Sequence, residues 1–253
     1  LQEEFSLATK TLGLIFKEDE LGSWATEGLD LSTKSARSWE AGIEYFRVSG
    51  DVAKYLPFSS FIQWARCGSY LAQDSSTLAI AYLKASPTVV SNLRPQHIAR
   101  WAGLGRSLYK STWKSSTLAA RFFEASPALI RNLSFWEVEV FATLIEELSG
   151  RSYDVAGECL VLGVPALSSM GGERESFLSL CRLLTEVSWR EVKPCLEVAG
   201  KALSQIEDTQ RGRFLLLAEN ICRENPREVS TFLVSGSAAL GKIRPPSQQH
   251  ILD

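Results

Sequence analysis

An internal repeat constrains the fold of this chain more than any other feature of its sequence. Residues 75–93 align with residues 115–133 at an offset of 40 without a gap, and ten of the nineteen positions are identical. Self-similarity at a period of about 20–50 residues is typical of stacked supersecondary units, because each unit buries its apolar face only against its neighbours. The chain is therefore expected to be a repeat protein.

The repeat extends in both directions from these two copies. A W-A-x-x-G pattern starts at Trp24, Trp64 and Trp101. Toward the C-terminus the same aromatic position is held by Phe141, Phe177 and Phe214, so that successive anchors are 36 to 40 residues apart. About six units result, covering roughly residues 21–243.

Within each unit the apolar residues recur at spacings of three and four, which is typical of an amphipathic helix. The sequence therefore predicts an all-α fold, an α-solenoid of about six helical hairpins similar to tetratricopeptide or HEAT repeats. Residues 1–20 are expected to form an N-terminal capping helix, and residues 244–253 a linker or tail to a further C-terminal domain. Helices are predicted over 1–17, 21–31, 36–48, 58–72, 75–86, 95–110, 114–125, 135–149, 152–163, 173–187, 189–205, 210–223 and 227–240.

Two local patterns add detail to each hairpin. Gly28, Gly68 and Gly105 lie four residues after their tryptophans, where a missing side chain would let the next helix approach closely. Ser86-Pro87 and Ser126-Pro127 have the order of an N-cap followed by a first helical residue, so a short third helix is expected to begin there. A kinked continuation of the second helix is the alternative.

The motifs F-F-x-A-S-P-x-L-I at 122–130 and W-A-x-x-G also resemble a known family. They are similar to the helical region that precedes the von Willebrand A domain in bacterial NorD- and CoxE-like proteins, which are partners of MoxR-type AAA+ ATPases. The resemblance covers most of residues 24–243 and implies a scaffolding role, with a von Willebrand A domain after Asp253. The metal-binding D-x-S-x-S of that domain is absent here, since Leu78 replaces the last serine of the run that starts at Asp74.

Composition and motifs limit the chemistry. The net charge is −2, so no chain-wide positive field attracts nucleic acid or anionic lipid. The five cysteines are never spaced as C-x-x-C and favour a reducing, cytoplasmic location, and neither a signal peptide nor an apolar run of membrane-spanning length occurs. His97 and His250 are the two histidines, and no nucleotide-binding or nucleophile motif accompanies them. The chain is expected to have no enzymatic activity, no metal and no cofactor.

Charge segregation is the remaining unusual feature. Residues 94–131 hold seven basic side chains against Glu124 alone, whereas residues 137–158 are predominantly acidic. With Tyr109 and Trp113 interleaved, the basic band 94–131 could bind a phosphate backbone or an acidic peptide, or it could be ordinary surface charge.

The helical repeat and the basic band suggest two alternative functions. The first is a protein-interaction scaffold in which the second helices of the hairpins bind a partner segment, either of another protein such as an AAA+ ATPase or of the same chain's further domain. The predicted partner-binding residues are Lys84, Arg121, Glu124 and Arg131, and an acidic segment is expected to dock near Arg121. The alternative is a HEAT-like nucleic-acid-binding protein, similar in kind to alkylpurine DNA glycosylases, that uses the basic band. Nucleic acid and membrane binding are not expected.

Overall fold

The chain is all-α in a computed structural model that describes residues 2–35, 37–112 and 116–242. No strand occurs within these ranges. Four of the α-helices, namely α6, α10, α11 and α13, follow directly on a single 3-10 turn. The α-helices are α1 Gln2–Leu12, α2 Glu18–Thr33, α3 Ser38–Ala53, α4 Phe58–Asp74, α5 Ser76–Val90, α6 Ile98–Ser111, α7 Ser116–Asn132, α8 Phe135–Ser149, α9 Tyr153–Ser169, α10 Arg174–Ser188, α11 Val192–Ser204, α12 Asp208–Glu224 and α13 Val229–Leu240.

The helices form two compact units that divide between Arg131 and Asn132. In the first unit α2 packs on α4 and α4 on α6, while α3 packs on α5 and α1 packs on α3. In the second unit α8 packs on α10 and α10 on α12, while α9 packs on α11 and α11 on α13. Alternate helices therefore stack into a first-helix layer and a second-helix layer within each unit, which confirms the predicted all-α helical repeat.

The predicted aromatic core is confirmed. Trp64, Trp101, Phe122, Phe123 and Phe141 have no solvent exposure. In the first unit the tyrosine of one hairpin stacks on the tryptophan of the next, with ring centroids 5.3 Å apart for Tyr45 and Trp64 and 4.7 Å apart for Tyr82 and Trp101. These contacts join successive hairpins, because each ring belongs to a different repeat.

The prediction of a third helix starting at each Ser-Pro pair is wrong. Helices α5, α7 and α9 continue without interruption through Pro87, Pro127 and Pro165, respectively. Proline inside a helix costs about 3 kcal/mol because it removes one backbone hydrogen bond and crowds the preceding turn. Buried residues stand on both sides of each proline, and the second helix continues past it.

Ser86 and Ser126 bind the repeat's tryptophan instead of capping a helix. The indole Nε1 of Trp64 donates to Ser86 Oγ at 2.8 Å, and that of Trp101 donates to Ser126 Oγ at 2.9 Å. Each serine then donates to the carbonyl four residues earlier, at 2.7 Å in both cases. The first hairpin has the same arrangement, with Trp24 Nε1 donating to Ser49 Oγ at 3.0 Å. Every tryptophan N–H in this core thus has a partner, as burial requires.

The glycines of W-A-x-x-G have the predicted packing role at two of the three positions. A Cβ on Gly28 would overlap the Phe46 ring, and a Cβ on Gly105 would overlap the Phe123 ring. Gly68 is less constrained, since Leu83 replaces the ring. An added Cβ on Gly68 would be 3.1 Å from Leu31 Cδ1 and 3.6 Å from Leu83 Cδ2.

The second unit reverses this arrangement between its layers. The large ring lies on the first helix and the small residue on the second, so that a Cβ on Gly163 would overlap the Phe141 ring. Gly236 stands against Phe214 in the same way, with 2.9 Å from an added Cβ to the ring. This reversal explains why the W-A-x-x-G pattern disappears after residue 131 although the hairpins continue.

Apart from the second helices that continue past their prolines, the largest boundary errors lie near the N-terminus. Helix α1 ends at Leu12, whereas the prediction extended it to residue 17. Helix α2 begins at Glu18 and not at residue 21, because Glu20 accepts from the backbone N–H of Lys17 at 2.9 Å and closes the first turn. The predicted tail 244–253 and the first residue of the chain lie outside the described residues. None of the described helices has both the length and the apolar character needed to cross a membrane.

Candidate partner-binding groove

The second-helix layer of the first unit carries an open groove of about 490 Å³. Its walls come from α3, α5 and α7, which the tryptophan–serine hydrogen bonds hold in register with the first-helix layer. The groove is lined by Glu40, Thr77, Ile80, Ala81, Lys84, Ala85, Ala120, Glu124 and Pro127. Small apolar side chains thus form the floor, and charged side chains stand on the rim.

The rim charges alternate in sign. Glu40, Lys84 and Glu124 are all exposed, and none of them forms an ion pair with another described residue. Side chains that are charged, exposed and without an intramolecular partner can pair with charges on an incoming segment at little desolvation cost. The groove therefore offers an apolar floor for contact area and three charges for orientation.

The structure brings two of the four predicted partner-binding residues together. Lys84 and Glu124 both line the groove, and they occupy the same position of the repeat, 40 residues apart. Arg121 is exposed on α7 one turn before Glu124 but is not among the lining residues. Arg131, in the last turn of the same helix, is exposed and also outside the groove lining.

One cation of the basic band pairs with a carboxylate outside the band. Arg106 Nε lies 2.5 Å from Asp74 Oδ2 on the preceding first helix, and this hydrogen bond raises the pKa of Arg106. Outside the band, Arg66 on the first-helix layer pairs with Glu27 at 3.1 Å. Two further predicted members of the band, Trp113 and Lys114, lie outside the described residues.

Sequence reasoning missed Glu40 and the apolar floor of the groove. Glu40 lies in the first hairpin, where the F-F-x-A-S-P motif is absent, so no signal drew attention to it. The signal that could have found it is the alignment of Ser49 with Ser86 at an offset of 37, which places Glu40 at the position of Thr77. Both of these residues line the groove.

The other candidate reactive groups lie in packed surroundings. Cys159, Cys181, Cys195 and Cys222 are buried and Cys67 is half-buried, and none forms a disulfide. Burial raises the pKa of Cys67 to about 11 and that of Cys159 to about 12, so both thiols stay protonated near neutral pH. His97 occupies the N-cap position of α6 without a side-chain cap hydrogen bond, and His250 lies outside the described residues. In the part of the chain that the structure describes, no three His, Cys, Asp or Glu residues are grouped to hold a metal ion.

No family model, no curated protein and no solved structure matches this chain. The proposal of a function therefore starts from the groove and its surroundings.

Proposed function

We propose that the chain is a non-catalytic protein-interaction scaffold that binds a segment of a partner protein in the groove of its first unit. The observation that carries the proposal is the groove itself, in which Glu40, Lys84 and Glu124 surround an apolar floor and have no ion partner among the described residues. Stacked helical hairpins commonly bind extended segments along one helix layer, because that layer presents a continuous surface of repeated side chains.

The charges favour a particular kind of segment. An acidic side chain of the partner would meet Lys84, with Arg121 one turn away from Glu124 as a second cation at the edge. Basic side chains on either side of it would meet Glu40 and Glu124. Given the unpaired thiols, the scaffold would act in a reducing compartment such as the cytoplasm. Following the family resemblance, a MoxR-type AAA+ ATPase is the first partner to test.

A peptide selection followed by titration tests the proposal. Random peptides displayed on phage are selected on the purified chain, and the affinity of enriched peptides is measured for wild type, Ile80→Glu and Arg121→Glu. Ile80 is half-buried in the groove floor, so a carboxylate there should weaken binding at least about 10-fold, the equivalent of ~1.4 kcal/mol. Arg121→Glu should weaken acidic peptides several-fold, since exposed charges act mainly on encounter and specificity.

Tyr70→Glu is the matched control, because Tyr70 is 55% exposed and belongs to the first-helix layer. Equal loss of affinity in Tyr70→Glu and Ile80→Glu, or no loss in either, would contradict binding in the groove. A duplex DNA titration at several salt concentrations covers the nucleic-acid alternative. A log–log slope near −3 would mean about three phosphate contacts and would favour that alternative instead.

A further inference from the structure

The second unit carries a separate groove of about 390 Å³ on its first-helix layer. It runs along the exposed face of α10, where Glu175, Arg182 and Glu186 line it at spacings of seven and four residues. Helix α8 contributes Trp136 and Val140, and helix α12 contributes Arg223. The groove thus combines an aromatic and an aliphatic side chain with charges of both signs.

The two cations in this groove already have acidic partners. Arg182 Nη2 lies 3.9 Å from Glu147 Oε1, and Arg223 Nη2 lies 3.9 Å from Glu219 Oε2. Arg223 Nη1 also donates to Asn220 Oδ1 at 3.1 Å. By contrast, Glu175 and Glu186 are exposed and pair with no basic side chain among the described residues. The groove therefore holds two carboxylates that no basic side chain of the described part of the chain pairs with.

The position of these carboxylates defines the spacing of a complementary ligand. Glu175 and Glu186 are eleven residues apart on one helix, which is three turns, so they lie on the same face about 16 Å apart. An extended peptide rises ~3.3 Å per residue and alternates its side chains between two faces, so two residues four apart share a face at about 13 Å, and the length of an arginine or lysine side chain covers the remaining distance.

The groove also offers an aromatic face. Trp136 is 51% exposed, and Val140 follows it one turn later on the same helix. An exposed indole face attracts a guanidinium or ammonium group, and tryptophan is enriched among residues that dominate binding energy.

From these features we infer that the groove on α8, α10 and α12 binds a basic segment of a partner protein. Two arginine or lysine side chains four residues apart would pair with Glu175 and Glu186, and the aliphatic or cationic groups near them would contact Trp136. This site is independent of the groove proposed above, because it lies in the other unit and is built from first helices, whereas the groove proposed above is built from second helices.

The test uses the full chain and a fluorescein-labelled peptide, Gly-Arg-Ser-Ala-Leu-Arg-Gly, titrated at low ionic strength and followed by fluorescence anisotropy. The peptide should bind wild type with a Kd below ~1 mM. Glu175→Lys with Glu186→Lys should weaken it at least about 10-fold, since two attractions become repulsions. Trp136→Ala should weaken it about 2–5-fold, the effect expected for one exposed cation–π contact.

Matched controls separate the groove from net charge and from loss of an exposed ring. Glu224→Lys with Glu228→Lys changes the net charge equally at two exposed glutamates outside the groove lining. Trp39→Ala removes a tryptophan that is 54% exposed in the first unit. Both control proteins should bind the peptide as wild type does.

A charge-swapped peptide, in which both arginines are replaced by glutamates, keeps the test decisive if a variant is less stable. It should fail to bind wild type and should bind the Glu175→Lys, Glu186→Lys protein, a gain that only a folded groove can give. The inference is overturned if the arginine peptide does not bind wild type below ~1 mM, if the charge reversal at 175 and 186 leaves its affinity unchanged, or if the control reversal weakens it equally.

Discussion

Removal of the Ser126 hydroxyl should destabilise the first unit, because it leaves a buried tryptophan N–H without a hydrogen-bond partner. Ser126 accepts from Trp101 Nε1 at 2.9 Å, and both side chains are fully buried. In Ser126→Ala the indole N–H keeps its place in the core but loses its partner. Leaving a buried donor unsatisfied costs about 1–3 kcal/mol, and the better helix propensity of alanine returns at most about 0.5 kcal/mol. We expect a net loss of about 1–2 kcal/mol, or roughly 2–8 °C in Tm for a chain of this size.

A double-mutant cycle shows whether the Trp101 hydrogen bond is the cause. The phenylalanine side chain has no N–H group, so Trp101→Phe removes the donor, and the loss of stability in this variant is set by the lost ring volume. In that background Ser126→Ala should cost less than about 0.5 kcal/mol, which leaves a coupling energy of about 1 kcal/mol or more. Urea unfolding followed by circular dichroism measures each corner of the cycle.

Ser23→Ala is the control for the serine itself. Ser23 also donates to the carbonyl four residues earlier, at 3.2 Å, but it is exposed and receives no tryptophan N–H. Its replacement should change stability by less than about 0.5 kcal/mol. If Ser126→Ala costs the same with tryptophan and with phenylalanine at position 101, the hydrogen bond does not carry the stability and the argument fails.

Three further predictions concern packing and burial. Gly105→Ala should destabilise by about 1–3 kcal/mol because its Cβ would overlap Phe123, whereas Gly103→Ala in the same helix, with nothing within 4 Å, should stabilise by about 0.4–1 kcal/mol; equal effects in urea unfolding would contradict the close-packing role of Gly105. Trp101→Ala should cost about 3–5 kcal/mol in the same assay, since the ring has no solvent exposure; a loss below about 1 kcal/mol would mean that the core collapses around the cavity. Burial raises the pKa of the Cys67 thiol from 9.0 to about 11, so the folded protein keeps this proton to a higher pH than the unfolded chain, and the free energy of unfolding should fall as the pH rises from 9.0 toward 11. Urea unfolding across this range should show a smaller fall in Cys67→Ala than in wild type. An identical fall would refute the contribution of Cys67 to the pH dependence.

The repeat and its helical nature could be predicted from the sequence because both depend on local spacing. Apolar residues three and four apart specify one face of a helix wherever the helix lies, and a gapless offset of 40 residues shows that the same unit occurs twice. For the same reason the buried tryptophans and phenylalanines were predicted correctly. Of the groove, only Lys84 and Glu124 were predicted, since they fall in the two best-matched copies.

Tertiary structure decided what each of these residues contacts. Ser126 before Pro127 has the order of a helix cap, and only the arrival of the Trp101 indole from the neighbouring helix makes it an acceptor within a continuous helix. Two other contacts are non-local in the same way: the ion pair of Arg106 with Asp74 across repeats, and the close packing of Gly163 on the Phe141 ring. Such contacts depend on which side chain an adjacent helix presents at a given height, and helical periodicity along one chain segment does not contain that information.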